Sequence, residues 1–186
     1  MVKKSSLFFL FGTGLLSTAL AGTPSEKIDN EILQIAQHIL AMPDLSDIKK
    51  VTSKLGIFVT PQQIEEVRDS ENIYIGKSQD FTFLKSNILS FGFIQDDFKA
   101  STFVPANATF VRVWISVKID KTACPLTKNN FTSKFPDARM DIMHDGAPSV
   151  YYLDGSEIGK KVTGLEFGNN GCLLRLSFFQ NMNKGS

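Results

Sequence analysis

"TFVRVWISVKI", residues 109–119, is the stretch that decides the fold of this chain. A branched aliphatic residue stands at every second position from Val111 to Ile119. Successive side chains of a β-strand point to opposite faces, so this period of two predicts a strand with one buried face. The opposite face of this strand carries Phe110, Arg112, Trp114, Ser116 and Lys118.

Shorter alternating segments on both sides of this strand predict further strands. Apolar pairs at 73/75 and 81/83 alternate with other side chains, and residues 76–80 between them have the composition of a hairpin loop. Near the end of the chain, Asn169, Asn170 and Gly171 separate two alternating apolar segments. Asn and Gly tolerate the positive φ of tight turns, so these residues predict a terminal hairpin.

The residues before position 72 have a helical period instead. An amphipathic helix is predicted over 24–42, and a shorter one over 46–55. Thr60-Pro61-Gln62-Gln63 has the pattern of a capping box and predicts the start of a third helix. A further short helix is predicted over 127–135, where Phe131 and Phe135 lie one turn apart. The first helix has an isoleucine stripe with a spacing of three or four, made of Ile28, Ile32, Ile35 and Ile39.

Helices at the front of the chain and strands behind them predict an α+β fold. In this fold the N-terminal helices pack on a largely antiparallel sheet. The tripeptide Thr-Ser-Lys occurs at 52–54 and again at 132–134, with large apolar neighbours each time. This similarity leaves two alternatives open: one continuous domain, or two helix-plus-sheet halves.

The first 21 residues have the pattern of a cleavable signal peptide. Lys3 and Lys4 precede an apolar run over 7–20, and Ala19-Leu20-Ala21 fits the small-x-small cleavage site. The apolar run is short and interrupted for a membrane span, so a retained anchor is the second interpretation. We therefore expect a signal peptide over 1–21 and a single exported, periplasmic domain over 22–186.

Cys124 and Cys172 are the two cysteines of the chain. Two thiols in an exported protein most often pair, so they predict a disulfide. Such a bond would stabilise the fold by roughly 4 kcal/mol in the chain-entropy model. Two cysteines alone cannot build a metal site, and a free reactive thiol is the remaining alternative.

Composition and motifs give no indication of nucleic-acid binding or catalysis. Lys and Arg number 20 against 19 Asp and Glu, so nothing in the net charge favours an anionic partner such as DNA. Acid–base catalysis needs a partner base, and the two histidines are His38, on the polar face of the first helix, and His144, before a turn signal. We expect no enzyme, no cofactor and no metal site, with an unrecognised hydrolase as an alternative.

Two kinds of surface are candidates for binding a protein partner. Trp114 shares its strand face with cations, a common arrangement at interfaces, unless a further helix covers this face. Tyr151 and Tyr152 lie on opposite faces of one predicted strand, so one ring should face outward. Acidic runs are usually solvated surface, but they can dock on a basic partner. The candidate interface residues are Trp114, Arg112, Tyr151, Asp96, Asp97, Glu65 and Glu66.

A signal peptide, one compact domain, one disulfide and no catalytic constellation together resemble the small exported inhibitor and immunity proteins of bacterial envelopes. The order of a helix pair followed by strands is similar to the β-lactamase-inhibitor-like architecture. The resemblance covers most of the mature chain through its layout, and no binding residue is carried over. It implies a protein that occludes a toxic envelope enzyme such as a cell-wall hydrolase or lipase. The alternative is a periplasmic module that binds a lipid, peptide or glycan, or a structural module of the envelope.

Overall fold

The computed structural model describes residues 24–86, 92–120, 122–142, 149–155 and 160–182. The predicted signal peptide and His144 lie outside these ranges. None of the described helices is both long and apolar enough to cross a membrane. In chain order the elements are α1 (Pro24–Ala41), α2 (Ile48–Lys54), β1 (Ile57–Pro61), β2 (Glu65–Arg68), β3 (Tyr74–Ser86), β4 (Phe93–Pro105), β5 (Arg112–Ile119), α3 (Lys128–Lys134), β6 (Arg139–Ile142), β7 (Ser149–Asp154), β8 (Lys161–Phe167) and β9 (Leu173–Gln180).

The nine described strands form one sheet in which each named pair is antiparallel. Their order across the sheet is β1-β3-β4-β5-β9-β8-β7-β6, and β2 pairs with the other part of β3. The central pair is β5 with β9, where residues 113–118 lie opposite residues 180–175. The last described strand therefore occupies the middle of the sheet rather than an edge.

The predicted α+β class is wrong, because the sheet dominates the structure. Strand accounts for 50% of the structure, against 19% for three short helices, so helices packed on a sheet do not describe the architecture. The chain also does not separate into two helix-plus-sheet halves. Strands from both parts of the chain join through β5 and β9 in a single sheet.

The region from 57 to 68 accounts for much of this error. The predicted third helix is absent, because these residues form β1 and β2. Ile57 and Val59 alternate with less buried residues and point into the core, which is a strand pattern. The capping box predicts Gln62 in the first helical turn, but the backbone N–H of Gln62 donates to Asp80 O at 2.8 Å instead. Pairing with β3 satisfies the backbone groups that the capping box would have satisfied locally.

The hairpin loop predicted over 76–80 is also wrong, since these residues lie inside β3. Ser78 and Asp80 face Phe103 and Ser101 of β4. Ser78 also faces Glu65 of β2 on the other side, so β3 is paired at both of its edges here. Pairing on both sides explains why a polar, glycine-containing segment continues as strand.

One face of the sheet, the inner face, contributes to the buried core. The alternation predicted for residues 111–119 is confirmed in β5, where Val113, Ile115, Val117 and Ile119 are at most 1% exposed. Residues of α1, α2 and α3 belong to the same core cluster. The other side chains of β5 point to the opposite face, which we call the outer face. They are those of Arg112, Trp114, Ser116 and Lys118.

The predicted disulfide and the short helix beside it are both confirmed. Cys124 and Cys172 are bonded, with their Cα atoms 5.0 Å apart. Thr127 caps α3 by accepting a hydrogen bond from Asn130 N at 3.2 Å. Phe131 is fully buried and packs on Phe135, Tyr151 and Phe167, with ring centroids 5.3–5.6 Å apart.

Hydrogen bonds from β8 and β9 hold the loop between α1 and α2. The ammonium of Lys161 is buried and donates to Met42 O at 2.5 Å. Gln180 accepts from Leu45 N at 2.7 Å and donates to Asp44 Oδ1 at 2.6 Å. Both side chains lie at the end of the sheet where α1 ends, so they fix this loop against the central strands.

Candidate functional site

A trough crosses the outer face of the sheet and encloses a cavity of 340 Å³. Its floor follows one row of strand partners, from Tyr152 on β7 to Lys99 on β4. Between these ends the floor consists of Gly164, Ser177 and Ser116, which lie opposite one another on β8, β9 and β5. Small side chains in this row, with larger ones in the rows on either side, create the depression.

The two walls of the trough differ in chemistry. One wall is aromatic, because Phe179 and Trp114 face each other across β9 and β5. The other wall is mainly charged, because Glu166 and Arg175 face each other across β8 and β9. Val150 of β7 extends the charged wall at one end. A ligand in the trough would therefore meet an apolar side and a polar side.

The polar groups of the floor form a connected network. Ser116 Oγ accepts hydrogen bonds from Ser177 Oγ and from Arg175 Nη1, both at 3.2 Å. Arg175 Nε also lies 3.3 Å from Glu166 Oε2. Ser116 and Ser177 are only 1% and 7% exposed, although the trough above them is open. The guanidinium of Arg175 is thereby held in one orientation along the wall.

Cations lie over the aromatic rings at both ends of the trough. Lys99 Nζ is 5.9 Å from the ring centroid of Trp114, and Arg139 Cζ is 4.8 Å from that of Tyr152. Beyond Trp114, Arg112 lies 5.8 Å from the ring of Phe103. Such contacts favour the cation and keep both the charge and the ring at the surface.

The charged side chains that line the trough are Lys99, Arg175 and Glu166, which leaves an excess of positive charge. The adjacent pair of Lys118 and Asp97 is joined by a 2.7 Å contact from Nζ to Oδ2. The hydrogen bond from Lys118 lowers the pKa of Asp97 below its ordinary value. The Asp97 carboxylate is therefore already engaged, and its charge is balanced locally.

The predicted interface residues do not all lie together. Trp114 and Arg112 lie on the outer face as expected, and Trp114 is 38% exposed. Tyr151, expected outside, is 7% exposed and packs in the core, whereas Tyr152 lines the trough. The remaining acidic candidates do not line the trough. Asp97 lies beside its charged wall, in contact with Lys118, and Asp96 precedes it on β4. Glu65 and Glu66 are exposed on β2.

Sequence reasoning missed several residues of the trough, namely Lys99, Gly164, Glu166, Arg175, Ser177 and Phe179. The spacing of two in Arg175, Ser177 and Phe179 indicates that they share one strand face. Their position opposite Trp114 follows only from the pairing of β9 with β5. The terminal hairpin was predicted, but its place in the middle of the sheet was not.

The other candidate chemistry does not converge on a site. His38 lies in a shallow depression formed by Glu31, Gln34 and Ile35 of α1 and by Lys54 of α2. Within the described part of the chain, no three His, Cys, Asp or Glu side chains are grouped so that they could hold a metal ion. Comparison of the chain with protein-family models, with curated proteins and with solved structures finds no match.

Proposed function

We propose that this protein is an exported, non-catalytic binding protein that uses the trough to hold a protein partner. The trough itself carries the proposal. It presents Trp114, Tyr152 and Phe179 beside Lys99 and Arg175 on an exposed sheet face. Aromatic residues and arginine are the residue types enriched at protein interfaces and at their energetic centres.

The construction of the trough favours binding without rearrangement. Its side chains stand on strands in the middle of the sheet, and the Ser116–Ser177–Arg175 network fixes its floor. A surface that is ordered before binding loses less conformational entropy on association. A rigid face of this kind suits an inhibitor that must occlude another protein.

The partner class that we propose is a toxic envelope-targeting enzyme, such as a cell-wall hydrolase or lipase, for which this chain is the immunity protein. The disulfide fits an oxidising compartment, where such enzymes act. The predicted signal peptide supports periplasmic export. Binding over the partner's active site would block its substrate, and this needs no chemistry from the chain itself.

The test is capture of a partner from an envelope extract with the immobilised protein and two trough variants. We expect capture by the unaltered protein and loss of capture with Trp114→Ala and with Lys99→Glu. Lys85→Glu is the matched control, because Lys85 also lies over an aromatic ring, that of Phe58 at 5.3 Å, but outside the trough. The purified partner must then lose its enzymatic activity at a one-to-one ratio. A partner that all three variants retain, or whose activity is unaffected, would refute the proposal.

A periplasmic ligand-binding module is the second candidate. The trough volume of 340 Å³ lies at the low end of the range for small-molecule sites. In that case a small ligand would co-purify with the protein, and no protein would be captured. Mass spectrometry of the purified protein under non-denaturing conditions distinguishes the two candidates.

A further inference from the structure

We infer that the trough receives an extended, acidic segment of the partner, which lies across the strands from Tyr152 to Lys99. This inference rests on the proposed function, because it names the part of the partner that the trough holds. Its support is the length of the trough, the chemistry of its two walls, the charge of its lining and the shape of its floor.

The length of the trough fits a short extended peptide. Its floor crosses five strands, from β7 through β8, β9 and β5 to β4. Neighbouring strands are about 4.8 Å apart, so four such steps span about 19 Å. An extended chain advances about 3.3 Å per residue, and about six residues would fill this length.

The two walls fit the two sides of an extended peptide. Side chains of an extended segment alternate between opposite directions, so every second residue could face the same wall. Apolar side chains would pack on Phe179 and Trp114, and acidic side chains would reach toward Arg175 on the other wall. A peptide that alternates acidic and apolar residues therefore matches both walls at once.

The charge of the lining favours carboxylates. Among the described residues, no carboxylate lies within ion-pair distance of Lys99, whose ammonium lies over the ring of Trp114, and the carboxylate of Asp97 attracts Lys99 only at longer range. Arg175 uses Nε toward Glu166 and Nη1 toward Ser116. A guanidinium has five N–H donors, so Arg175 retains donors for a carboxylate. Glu166 is the acidic side chain that lines the trough, and this contact with Arg175 offsets its charge.

The floor carries no side chain at Gly164, and the rings of Tyr152 and Phe179 on the neighbouring strands line this position. A Cβ atom added at Gly164 would lie 3.4 Å from the ring of Phe179 and 3.6 Å from that of Tyr152. These are ordinary contact distances, so a small side chain fits there without moving its neighbours. A larger one, such as valine, would fill the floor of the trough. Glycine weakens a strand interior, so valine should raise the strand propensity of β8, although its methyl groups will crowd the two rings.

The test uses synthetic hexapeptides and the fluorescence of Trp114, the single tryptophan of the chain. The probe is an acetylated peptide in which Glu alternates with Leu. Matched peptides replace Glu with Gln or with Lys, and a linear hexamer of N-acetylglucosamine tests for a glycan. We expect a saturable fluorescence change with the Glu peptide, binding at least about tenfold weaker for the Gln peptide, and none for the Lys peptide. Binding of the Glu peptide should also weaken as salt is added.

Three variants locate the binding. Gly164→Val should weaken binding of the Glu peptide by at least about tenfold by filling the floor, and Lys99→Glu should weaken it by reversing a charge. Lys85→Glu should leave it unchanged. Circular dichroism confirms that each variant is folded, and Lys99→Glu keeps the test valid if Gly164→Val does not fold.

The inference is overturned if the Glu peptide gives no saturable change up to millimolar concentration. Equal binding of the Gln peptide or preferential binding of the glycan would overturn it as well. These failures are separate from failure of the proposed function. If capture of a partner depends on Trp114 and Lys99 but not on Gly164, the proposed function is supported. The inference that the trough holds an extended acidic segment is then rejected.

Discussion

Ser116 and Ser177 face each other across the central strand pair, with their hydroxyl oxygens 3.2 Å apart and almost no exposed surface. They lie under an open face of the sheet, where apolar or long side chains would be the usual filling. Their hydroxyls bind each other, and Ser116 also accepts from Arg175. The same two residues therefore contribute to the stability of the sheet and form part of the floor of the trough.

The serine pair should behave as one energetic unit. Ser116→Ala removes an acceptor from both Ser177 and Arg175, so we expect a loss of about 1–3 kcal/mol in the free energy of unfolding. Ser177→Ala alone should cost less, because it leaves the contact between Ser116 and Arg175. The double variant should lose less than the sum of the two single losses. Urea unfolding of the four proteins measures this coupling, and strictly additive losses would contradict it.

Phe131 should contribute more to stability than Phe135, the residue at the C-cap of α3. It is fully buried among three aromatic rings, so Phe131→Ala should lower the free energy of unfolding by about 3–5 kcal/mol. Phe135 is only partly buried, and its ring packs against that of Phe131. Phe135→Ala is therefore the matched control. In thermal and urea unfolding, the control should lose clearly less free energy of unfolding than Phe131→Ala. An equal loss for both variants would show that Phe131 is not the centre of this cluster.

Loss of the disulfide should destabilise the protein without removing its fold. The bond joins residues 48 positions apart, for which the chain-entropy model gives about 4 kcal/mol. Exchange of both cysteines for serine should lower the urea midpoint, and a reducing agent should then have no further effect. In the unaltered protein the same reducing agent should lower the midpoint to a similar value. Stability that is independent of the bond would contradict this expectation.

Asp44 should make stability depend on pH in the acidic range. Burial alone would raise its pKa, but hydrogen bonds from Ser46, Gln180 and the backbone outweigh this effect, and its pKa lies below the ordinary 3.8. A carboxyl group whose pKa is lowered in the folded state stabilises the fold above the unfolded pKa. This contribution is lost as the pH falls below about 3.8 and through the folded-state pKa.

The matched variant for this effect is Asp44→Asn, which cannot titrate. Unfolding free energies measured from pH 6 down to pH 2 should fall less steeply for Asp44→Asn than for the unaltered protein. Asp97 has a lowered pKa as well, so a residual slope is expected in the variant. An identical slope in both proteins would show that Asp44 is not responsible for the acid sensitivity.

The sequence predicted the local features of the fold but not its long-range pairing. The period of two in β5, the Asn-Asn-Gly turn and the i,i+4 pair of Phe131 and Phe135 are signals within a few residues, and all three are confirmed. Gly171, with φ at +76°, has the conformation that the predicted turn requires. The capping box at Thr60 is also a local signal, but pairing of β1 with β3, about twenty residues further on, overrides it.

The trough depends on this long-range pairing throughout. Trp114 and Arg112 were identified because they share a strand with an obvious buried face. Lys99, Gly164 and Arg175 come from three other strands and meet only through the register of the sheet. The sequence does not specify this register. For the same reason it does not show which of Tyr151 and Tyr152 faces outward.

The position of β9 between β5 and β8 restricts the order in which the sheet can form. A chain that emerges with its N-terminus first would present β5 as an uncovered edge until residues 173–180 arrive. Exposed strand edges pair readily with other chains, and contacts this distant in sequence form slowly. The native sheet can therefore form only when nearly all of the described chain is present. The aromatic and charged walls of the trough both contain residues of β9, so they form together in this final step.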